Sequence, residues 1–181
     1  MEANKTLIHR INKDERVFTF KSLKGQEYLD DLLFVYNSVL KEKIEPIIFA
    51  PPSVQELIES LELDKVVGVY YQNKIVAFSI LIVARKDERD LSVYADYRLK
   101  DCLCFDNVLV HKGFRGYGIE KELIRLAKGY QVKHQFKHLL AVVSKLNVPS
   151  LKSFIANDFK IIKSDIDIYN TKRELVDFEL K

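Results

Sequence analysis

The sequence predicts an α/β (α+β) fold in which a mixed central sheet is flanked by about four helices. Apolar runs typical of strands alternate with segments whose apolar residues recur every three or four positions, as they do along helices. The resulting order is β, α, α, β, β, β, α, β, α, β, β. At 181 residues, 48% of them apolar and 30% charged, the chain is expected to form one domain over residues 1–181.

The first part of the chain is predicted to contribute a strand or hairpin and two helices. Two β-type runs, Leu7–Ile11 and Arg16–Lys21, either pair with each other or leave only the second as a strand. Apolar residues at helical spacing follow over Gln26–Ile44. Ser53 with Glu56 three residues later has the pattern of a capping box, which indicates the start of a second helix.

The middle of the chain predicts two adjacent strands and then a loop. The strands are Val66–Tyr71 and Ile75–Ala84, and the second is so continuously apolar that both of its faces should be covered. The charged segment Arg85–Asp101 is predicted to be loop-like, with a weak strand around Leu91–Tyr94. Its acidic residues are expected at a solvated loop tip: Asp87, Glu88 and Asp90.

The second half of the chain is predicted to complete the sheet. In order, the elements are a strand over Cys102–Val110, a helix over Gly118–Lys133, a strand over Leu139–Val143, a helix from near Pro149 to Asn157, and strands over Phe159–Ile166 and Leu175–Leu180 around a turn at Tyr169–Glu174.

Composition argues against several classes of protein. The net charge is only +3, too balanced to indicate a nucleic-acid partner, and no apolar run is long enough to cross a membrane. The N-terminus lacks the apolar core of a signal peptide, so a cytoplasmic location is expected. Cys102 and Cys104 are badly spaced for a disulfide, and no further cysteine completes a zinc site. They are predicted to be ordinary half-buried thiols, and no metal is expected.

The most informative stretch is Phe105–Ile124, which runs from a strand through a glycine-dense loop into a helix. Three of the six glycines lie within six positions of this loop, Gly113, Gly116 and Gly118. Glycine lets a backbone approach a ligand closely. A helix start of this kind presents unpaired N–H groups and the positive end of the helix dipole. The stretch therefore predicts a site for a phosphate-like anion.

Two motifs resemble the GNAT superfamily of N-acetyltransferases. The segment Val108–Ile119, VLVHKGFRGYGI, is similar to the strand, short loop and Arg/Gln-x-x-Gly-x-Gly/Ala helix start of that family, with Arg115 and Gly118 in the first two fixed positions. Further on, the family has Asn, a small residue, Tyr and Gly-Phe at set spacings. The matching residues are Asn147, Ser150, Phe154 and Asp158-Phe159. The resemblance implies an acyl-CoA N-acyltransferase-like fold.

The resemblance also implies an activity and a set of contacts. The protein would be an acetyl-CoA-dependent N-acetyltransferase that moves an acetyl group to a primary amine of a small molecule or peptide, by direct attack in a ternary complex. Homodimers are common among such proteins, and neither nucleic acid nor membrane is an expected partner. The residues expected to contact the cofactor are Val108, Val110, Arg115, Gly116, Tyr117, Gly118, Ile119, Glu120, Asn147 and Phe154.

Two positions depart from the family pattern. Glu120 stands where the motif has Gly or Ala, and its charge would repel a pyrophosphate unless the side chain points away. Phe154 stands where many relatives have a Tyr that protonates the departing thiolate. Either another group protonates the thiolate, or water does, or the chain is not a competent enzyme. The possible groups are Ser150, Tyr169 and Tyr117, none of them strongly favoured.

Asp106 is the candidate general base. If Val108 and Val110 face the cofactor, a regular strand places Asp106 and Cys104 on the same face, whereas a bulge would reverse this parity. His111 is the second titratable residue nearby, and an exposed loop position is expected for it.

Two other classes of function remain open. A non-catalytic acyl-CoA-binding or regulatory module on the same fold would explain Glu120 and Phe154. A nucleotide-binding protein is disfavoured because the order G-x-x-G-x-G matches neither the P-loop nor the dinucleotide-binding pattern.

Overall fold

The computed structural model describes residues 5–11, 14–83, 85–86 and 89–180, with side chains from Arg16 onward. Eight strands form one sheet in the order β1-β2-β3-β4-β5-β6-β8-β7, confirming a mixed sheet. The strands are β1 Lys5–Ile11, β2 Asp14–Leu23, β3 Lys65–Tyr71, β4 Lys74–Val83, β5 Cys102–Val110, β6 His138–Val143, β7 Lys160–Ile168 and β8 Thr171–Glu179. The opening runs pair as a hairpin, and only β5 and β6 are parallel among the described pairs.

Helices cover both faces of the sheet. They are α1 Leu29–Leu40, α2 Val54–Leu63, α3 Ser92–Ala95, α4 Ile119–His134 and α5 Val148–Ile155. The apolar stripes of α1 and α2 pack in one buried cluster, and those of α4 and α5 pack in another across the sheet. Burial of these stripes is the main force that holds the layers together. β4 lies between the layers and is buried along most of its length, as its apolar run predicts.

The starts of the helices agree with the sequence better than their ends. The capping box of α2 is present, because the Ser53 side chain accepts from the Glu56 N–H and the Glu56 carboxylate accepts from the Ser53 N–H. By contrast, α1 ends at Leu40, four residues before the predicted Ile44. Lys43 has a left-handed φ of 51°, which a helix cannot continue.

The closing hairpin is tighter than predicted. β8 begins at Thr171, so the turn consists of Tyr169 and Asn170 instead of the range 169–174. Both turn residues have positive φ, 54° and 56°, as two-residue hairpins of the favoured type require. A shorter turn lengthens both strands, and β7 extends two residues past the predicted Ile166.

Two expectations for the segment before β5 were wrong, the possible strand around Leu91–Tyr94 and the solvated Asp90. The weak strand around Leu91–Tyr94 is replaced by the short helix α3. Asp90 is 5% exposed and not a solvated loop tip, and its carboxylate accepts from the Ser92 N–H at 2.9 Å. Leu91 and Ala95, four residues apart, are both buried, a helical spacing that outweighs the β propensity of the segment. Asp87 and Glu88 lie outside the described residues.

The two cysteines are buried rather than half-buried. Cys102 and Cys104 are free thiols that are 1% and 4% exposed. Burial raises the pKa of each thiol to about 12, so both are protonated at neutral pH.

β5 and β6 separate part-way along their length. They pair only from Cys102 with His138 to Cys104 with Leu140. Beyond that point β5 stays with β4, whereas β6 stays with β8. This separation opens the middle of the sheet and positions the candidate site. Within the described part of the chain, no helix is long and apolar enough to cross a membrane.

Candidate active site

A cleft of about 800 Å³ occupies the gap between β5 and β6. One wall is the β5 segment Phe105–Val110, and the other is the end of β6 with the start of α5. The start of α4 lies on one side, and the chain between α1 and α2 closes the opposite side. The cleft therefore brings together the two motifs that the sequence singled out, one containing the glycine loop and the other beginning at Asn147. A volume of this size is typical of small-molecule sites.

Most of the predicted site residues line this cleft. They are Asp106, Val108, Val110, Arg115, Gly116, Gly118, Ile119, Glu120, Asn147 and Phe154. The Tyr117 side chain instead packs on Phe18 with a ring-centroid distance of 5.7 Å, and the Arg16 guanidinium lies 4.5 Å from its ring centroid. Its ring stabilises the base of the loop, and a role for Tyr117 as a proton donor in the cleft has no geometric support.

β5 contains a bulge at Asp106. Ile80 pairs with Asn107 and the next residue, Leu81, pairs with Phe105, so Asp106 is the extra residue. Val108 and Val110 consequently pack with the α4 layer, whereas Cys104 packs in the opposite layer. The regular-strand expectation that placed Cys104 on the face of Val108 and Val110 is therefore wrong.

The edge of β5 that faces the gap carries backbone donors. The His111 N–H bonds to the Val76 carbonyl oxygen of the β4 segment at 2.9 Å. Because successive N–H groups of a strand alternate between its two edges, the N–H groups of Val110 and Val108 point away from β4, toward the gap. These donors are suited to bind a polar chain or to hold a developing oxyanion.

The loop before α4, where the sequence predicts an anion site, is shaped by its last two glycines. Gly116 and Gly118 have φ of 82° and 73°, and a side chain at either position would be strained. Gly118 is the N-cap of α4, and among the described residues no side chain caps this helix. The first N–H groups of α4 are thus left for a ligand at the positive end of the helix dipole.

The Arg115 side chain is held by an acid that the sequence did not reveal. Its two terminal nitrogens lie 2.9 Å and 2.7 Å from the carboxylate of Glu42, just after α1, and Nε donates to the Val110 carbonyl oxygen at 3.2 Å. The pair is 73 residues apart in the chain, so no local pattern could indicate it. The guanidinium is 45% exposed at the mouth of the cleft.

His111 has a structural role in the same loop. Its Nδ1 accepts from the Gly113 N–H at 3.2 Å, and its ring stacks on Phe34 at a centroid distance of 6.2 Å. It is half-buried, not exposed as expected. These contacts fix the 3-10 turn over Lys112–Phe114 that leads into the glycines.

Asp106 lies in a buried charged cluster at the floor of the cleft. Its side chain is 7% exposed, and Oδ2 accepts from the Asn107 amide at 2.7 Å and lies 3.7 Å from a guanidinium nitrogen of Arg89. Arg89 also donates to the Ser60 hydroxyl at 3.2 Å and lies 3.9 Å from Asp64. The nearby positive charge favours the ionised form of Asp106. The sequence placed Arg89 in a loop and gave no sign of this contact.

The start of α5 brings Asn147, Glu120 and Phe154 together. The Asn147 side chain caps α5 by accepting from the Ser150 N–H at 3.4 Å, while the residue also lines the cleft. Phe154 is 4% exposed and packs edge-to-face on Phe105. The Glu120 carboxyl is turned toward α5, where the Ser150 hydroxyl lies 2.7 Å from it.

The far side of the cleft is mainly apolar. Arg173, 5% exposed, donates to the carbonyl oxygens of Pro46 and Ile48 and so fixes the chain between α1 and α2 as a wall. Glu56 and Tyr169 also line this side. Desolvation, with a further contribution from the Asp106 charge, raises the pKa of the Tyr169 phenol, so its hydroxyl stays protonated.

Solved structures with a similar fold include several that are named acetyltransferases. The GNAT domain of PAT from S. lividans superposes with a TM-score of 0.73 at 13% identity, covering 97% of this chain and 96% of that one. An N-acetyltransferase from Staphylococcus aureus Mu50 gives 0.66 at 17% identity, covering 90% and 97%. Salmonella typhimurium yncA, assigned as an acetyltransferase and solved with its cofactor acetyl-CoA, gives 0.69 at 10% identity, covering 91% and 94%.

No protein-family model and no curated protein matches the chain by sequence. The structural likeness nevertheless extends over at least nine-tenths of the chain in each of these comparisons. The protein has the fold of the GNAT N-acetyltransferases.

Proposed function

We propose that the protein is an acetyl-CoA-dependent N-acetyltransferase that acts on a primary amine of a small molecule or peptide by direct attack in a ternary complex. One observation carries the proposal. Along one wall of the gap between β5 and β6, the N–H groups of Val108 and Val110 point away from β4, and at its side lies the start of α4, which no side chain caps among the described residues. An extended amide-containing arm with a pyrophosphate at its end fits both features.

Different residues of the cleft would bind different parts of acetyl-CoA. The N–H groups from Gly116 to Glu120 would hold the pyrophosphate, and backbone donors suffice because every residue there supplies one. The Asn147 amide and the β5 edge would hold the pantetheine arm. When bound, acetyl-CoA supplies an acetyl group activated as a thioester.

Groups of the protein would then promote the attack of the amine on the thioester. The Val110 N–H would polarise the carbonyl oxygen. Asp106 accepts the proton of the acceptor ammonium, directly or through one water molecule. The amine would enter from the apolar side formed by Ile48, Phe49 and Tyr169.

A thermal titration tests the binding part of the proposal. With acetyl-CoA at about 100 times its Kd, linkage predicts a stabilisation of about 2.7 kcal/mol. For a chain of this size that is a rise in Tm of about 5–10 °C. ATP and NAD at equal concentration are the controls. An unchanged Tm at millimolar acetyl-CoA would rule out the proposal, and a rise with ATP alone would favour a nucleotide-binding protein.

A second candidate is a non-catalytic acyl-CoA-binding module. Phe154 favours it, because a buried phenyl ring cannot protonate a thiolate. Release of free thiol from acetyl-CoA across a panel of polyamines, aminoglycosides and peptide amines separates the two. Binding without release with any amine on the panel would favour the module.

The pair between Glu42 and Arg115 leads to a prediction on cofactor affinity. Glu42→Gln removes the carboxylate that holds the guanidinium, so Arg115 can pair with a cofactor phosphate instead. We expect the Kd for acetyl-CoA to fall by about threefold to tenfold in calorimetry. Because both side chains are partly exposed, 45% for Arg115 and 20% for Glu42, the Tm of the free protein should change little.

The Arg115→Gln background provides the control for this prediction. There, Glu42→Gln should give no gain in affinity, because the cation that it releases is missing. A gain of the same size in that background would mean that Glu42 acts by simple repulsion of the phosphates, and weaker binding by Glu42→Gln alone would contradict the prediction.

A further inference from the structure

Glu120 and Phe154, the two departures from the acetyltransferase motif, lie on the same side of the cleft. Glu120 Oε1 lies 2.7 Å from the Ser150 hydroxyl oxygen, and Oε2 lies 3.1 Å from that of Ser153. Both serines belong to α5, and Ser150 precedes Phe154 by four residues, which places the two on one face of that helix. All four residues line the cleft.

The contacts in this cluster fit a neutral Glu120 carboxyl. The Ser153 oxygen has a second contact, with the Pro149 carbonyl oxygen at 3.1 Å. A carbonyl oxygen only accepts, and a serine hydroxyl holds one proton. If that proton goes to Pro149, the contact between Ser153 and Glu120 needs a proton from the carboxyl. A neutral Glu120 carboxyl supplies a third proton, so that each of the three contacts has a proton of its own.

The charges around Glu120 agree with this assignment. Desolvation raises the pKa of the Glu120 carboxyl, and the bonds from Ser150 and Ser153 only partly oppose the rise. Arg115, Lys121 and Lys152 line the same cleft, but among the described residues Glu120 has no ion-pair partner, and Arg115 is held by Glu42. A cofactor phosphate near the start of α4 would favour the neutral form further.

We propose that Ser150 and Glu120 together replace the missing tyrosine as the proton donor to the departing thiolate. As the carbon–sulfur bond of the tetrahedral intermediate breaks, the Ser150 hydroxyl turns from Glu120 to the sulfur and transfers its proton, and the Glu120 carboxyl, turned so that its O–H faces Ser150, transfers its proton to the Ser150 oxygen. Glu120 is left as a carboxylate and regains its proton from solvent. Ser150 is the catalytic group here, and Glu120 is the residue that supplies Ser150 with a new proton. The inference rests on the proposed N-acetyltransferase activity.

Two substitutions test the donor by kinetics. Ser150→Ala and Glu120→Gln should each lower kcat on the order of 100-fold, because a positioned acid contributes at least that factor. Glutamine keeps the contacts of a neutral carboxylic acid, accepting from Ser150 and donating to Ser153, so the fold should hold. Phe154→Tyr should restore at least tenfold of the loss in the Ser150→Ala background. Glu122→Gln, in the same helical turn but paired with Arg125, is the matched control and should leave kcat unchanged.

The dependence on pH separates proton donation from a structural contact. Since the acid acts when protonated, kcat of the wild type should fall as pH rises through the raised pKa of Glu120, and Glu120→Gln should lack this limb. Infrared difference spectra of the free protein, wild type minus Glu120→Gln, should show a protonated carboxyl band at neutral pH that shifts in D2O.

The outcomes distinguish this inference from the proposed function. Wild-type turnover with full activity in Ser150→Ala and Glu120→Gln would overturn the donor alone. The spectrum of a carboxylate would overturn the neutral acid whether or not the protein turns over. A wild type that binds acetyl-CoA without acetylating any amine would overturn the proposed function, and with it the donor.

Discussion

Asp106→Asn is expected to lower kcat for amine acetylation on the order of 1000-fold, the middle of the range for a positioned general base. The substitution keeps the size of the side chain and its capacity to accept the Asn107 amide bond, but removes the basic oxygen. Because the change leaves the loop and β5 edge that would hold the cofactor in place, the KM for acetyl-CoA should change little. Initial rates at saturating amine, measured across pH, check both expectations.

Two further measurements distinguish the loss of a general base in Asp106→Asn from a structural defect. The acidic limb of the pH–rate profile, which reports the base in the enzyme, should disappear in Asp106→Asn and persist in the wild type. Asp101→Asn is the matched control, since Asp101 precedes the same strand and pairs with Arg98 at 2.6 Å, and it should retain full activity. Retained turnover in a folded Asp106→Asn protein would show that another group, or water, takes the proton.

The value of Asp106 as a candidate depends on a bulge that the sequence could not locate. The face of the sheet on which each side chain of Cys102–Val110 lies can be predicted only if the strand is regular. Whether it is regular depends on its register with β4, which lies some 30 residues earlier in the sequence. The extra residue shifts Cys104 out of the Val108 face yet leaves Asp106 at the cleft. Bulges of this kind often re-aim a side chain beside a site.

What local chemistry determines was largely predictable. The capping box at Ser53, the apolar run of β4 and the strand before the glycines are present within one or two residues of the expected bounds. The positive φ at Gly116 and Gly118 follows from the only residue type that adopts it at little cost. The fold class, too, follows from the order of these periodic segments.

What depends on distant contacts was not predictable. The partners of Arg115, Asp106 and Arg173 lie on segments far away in the chain, and no spacing rule connects them. The same limit applies to Leu91–Tyr94, where burial of Leu91 and Ala95 against the neighbouring layer outweighs a weak local preference. The separation of β5 from β6, which creates the cleft, likewise depends on how the two strands pair and cannot be predicted from the sequence of either strand alone.

Arg89→Met is expected to destabilise the protein by about 3–5 kcal/mol, the usual cost of removing one partner from a buried ionic cluster. Arg89, Asp64 and Asp106 have side chains that are only 5%, 2% and 7% exposed, so solvent cannot replace the lost guanidinium. For a chain of this length the loss corresponds to a fall in Tm on the order of 10 °C. Urea unfolding monitored by circular dichroism gives the free energy directly.

Arg85→Met is a control that shows whether the destabilisation in Arg89→Met comes from the Asp64 or the Asp106 carboxylate. Arg85 lies 3.3 Å from Asp64 and is 20% exposed, so its removal leaves Arg89 in place between the two acids and should cost less. If most of the destabilisation in Arg89→Met comes from leaving the Asp106 carboxylate without its cation, then adding Asp106→Asn should recover part of the lost stability. Such a non-additive result is expected of groups in contact. Equal losses in the two methionine variants, with no recovery, would assign the cost to Asp64. Arg89 would then be a support of α2 and not the cation that keeps the proposed base ionised.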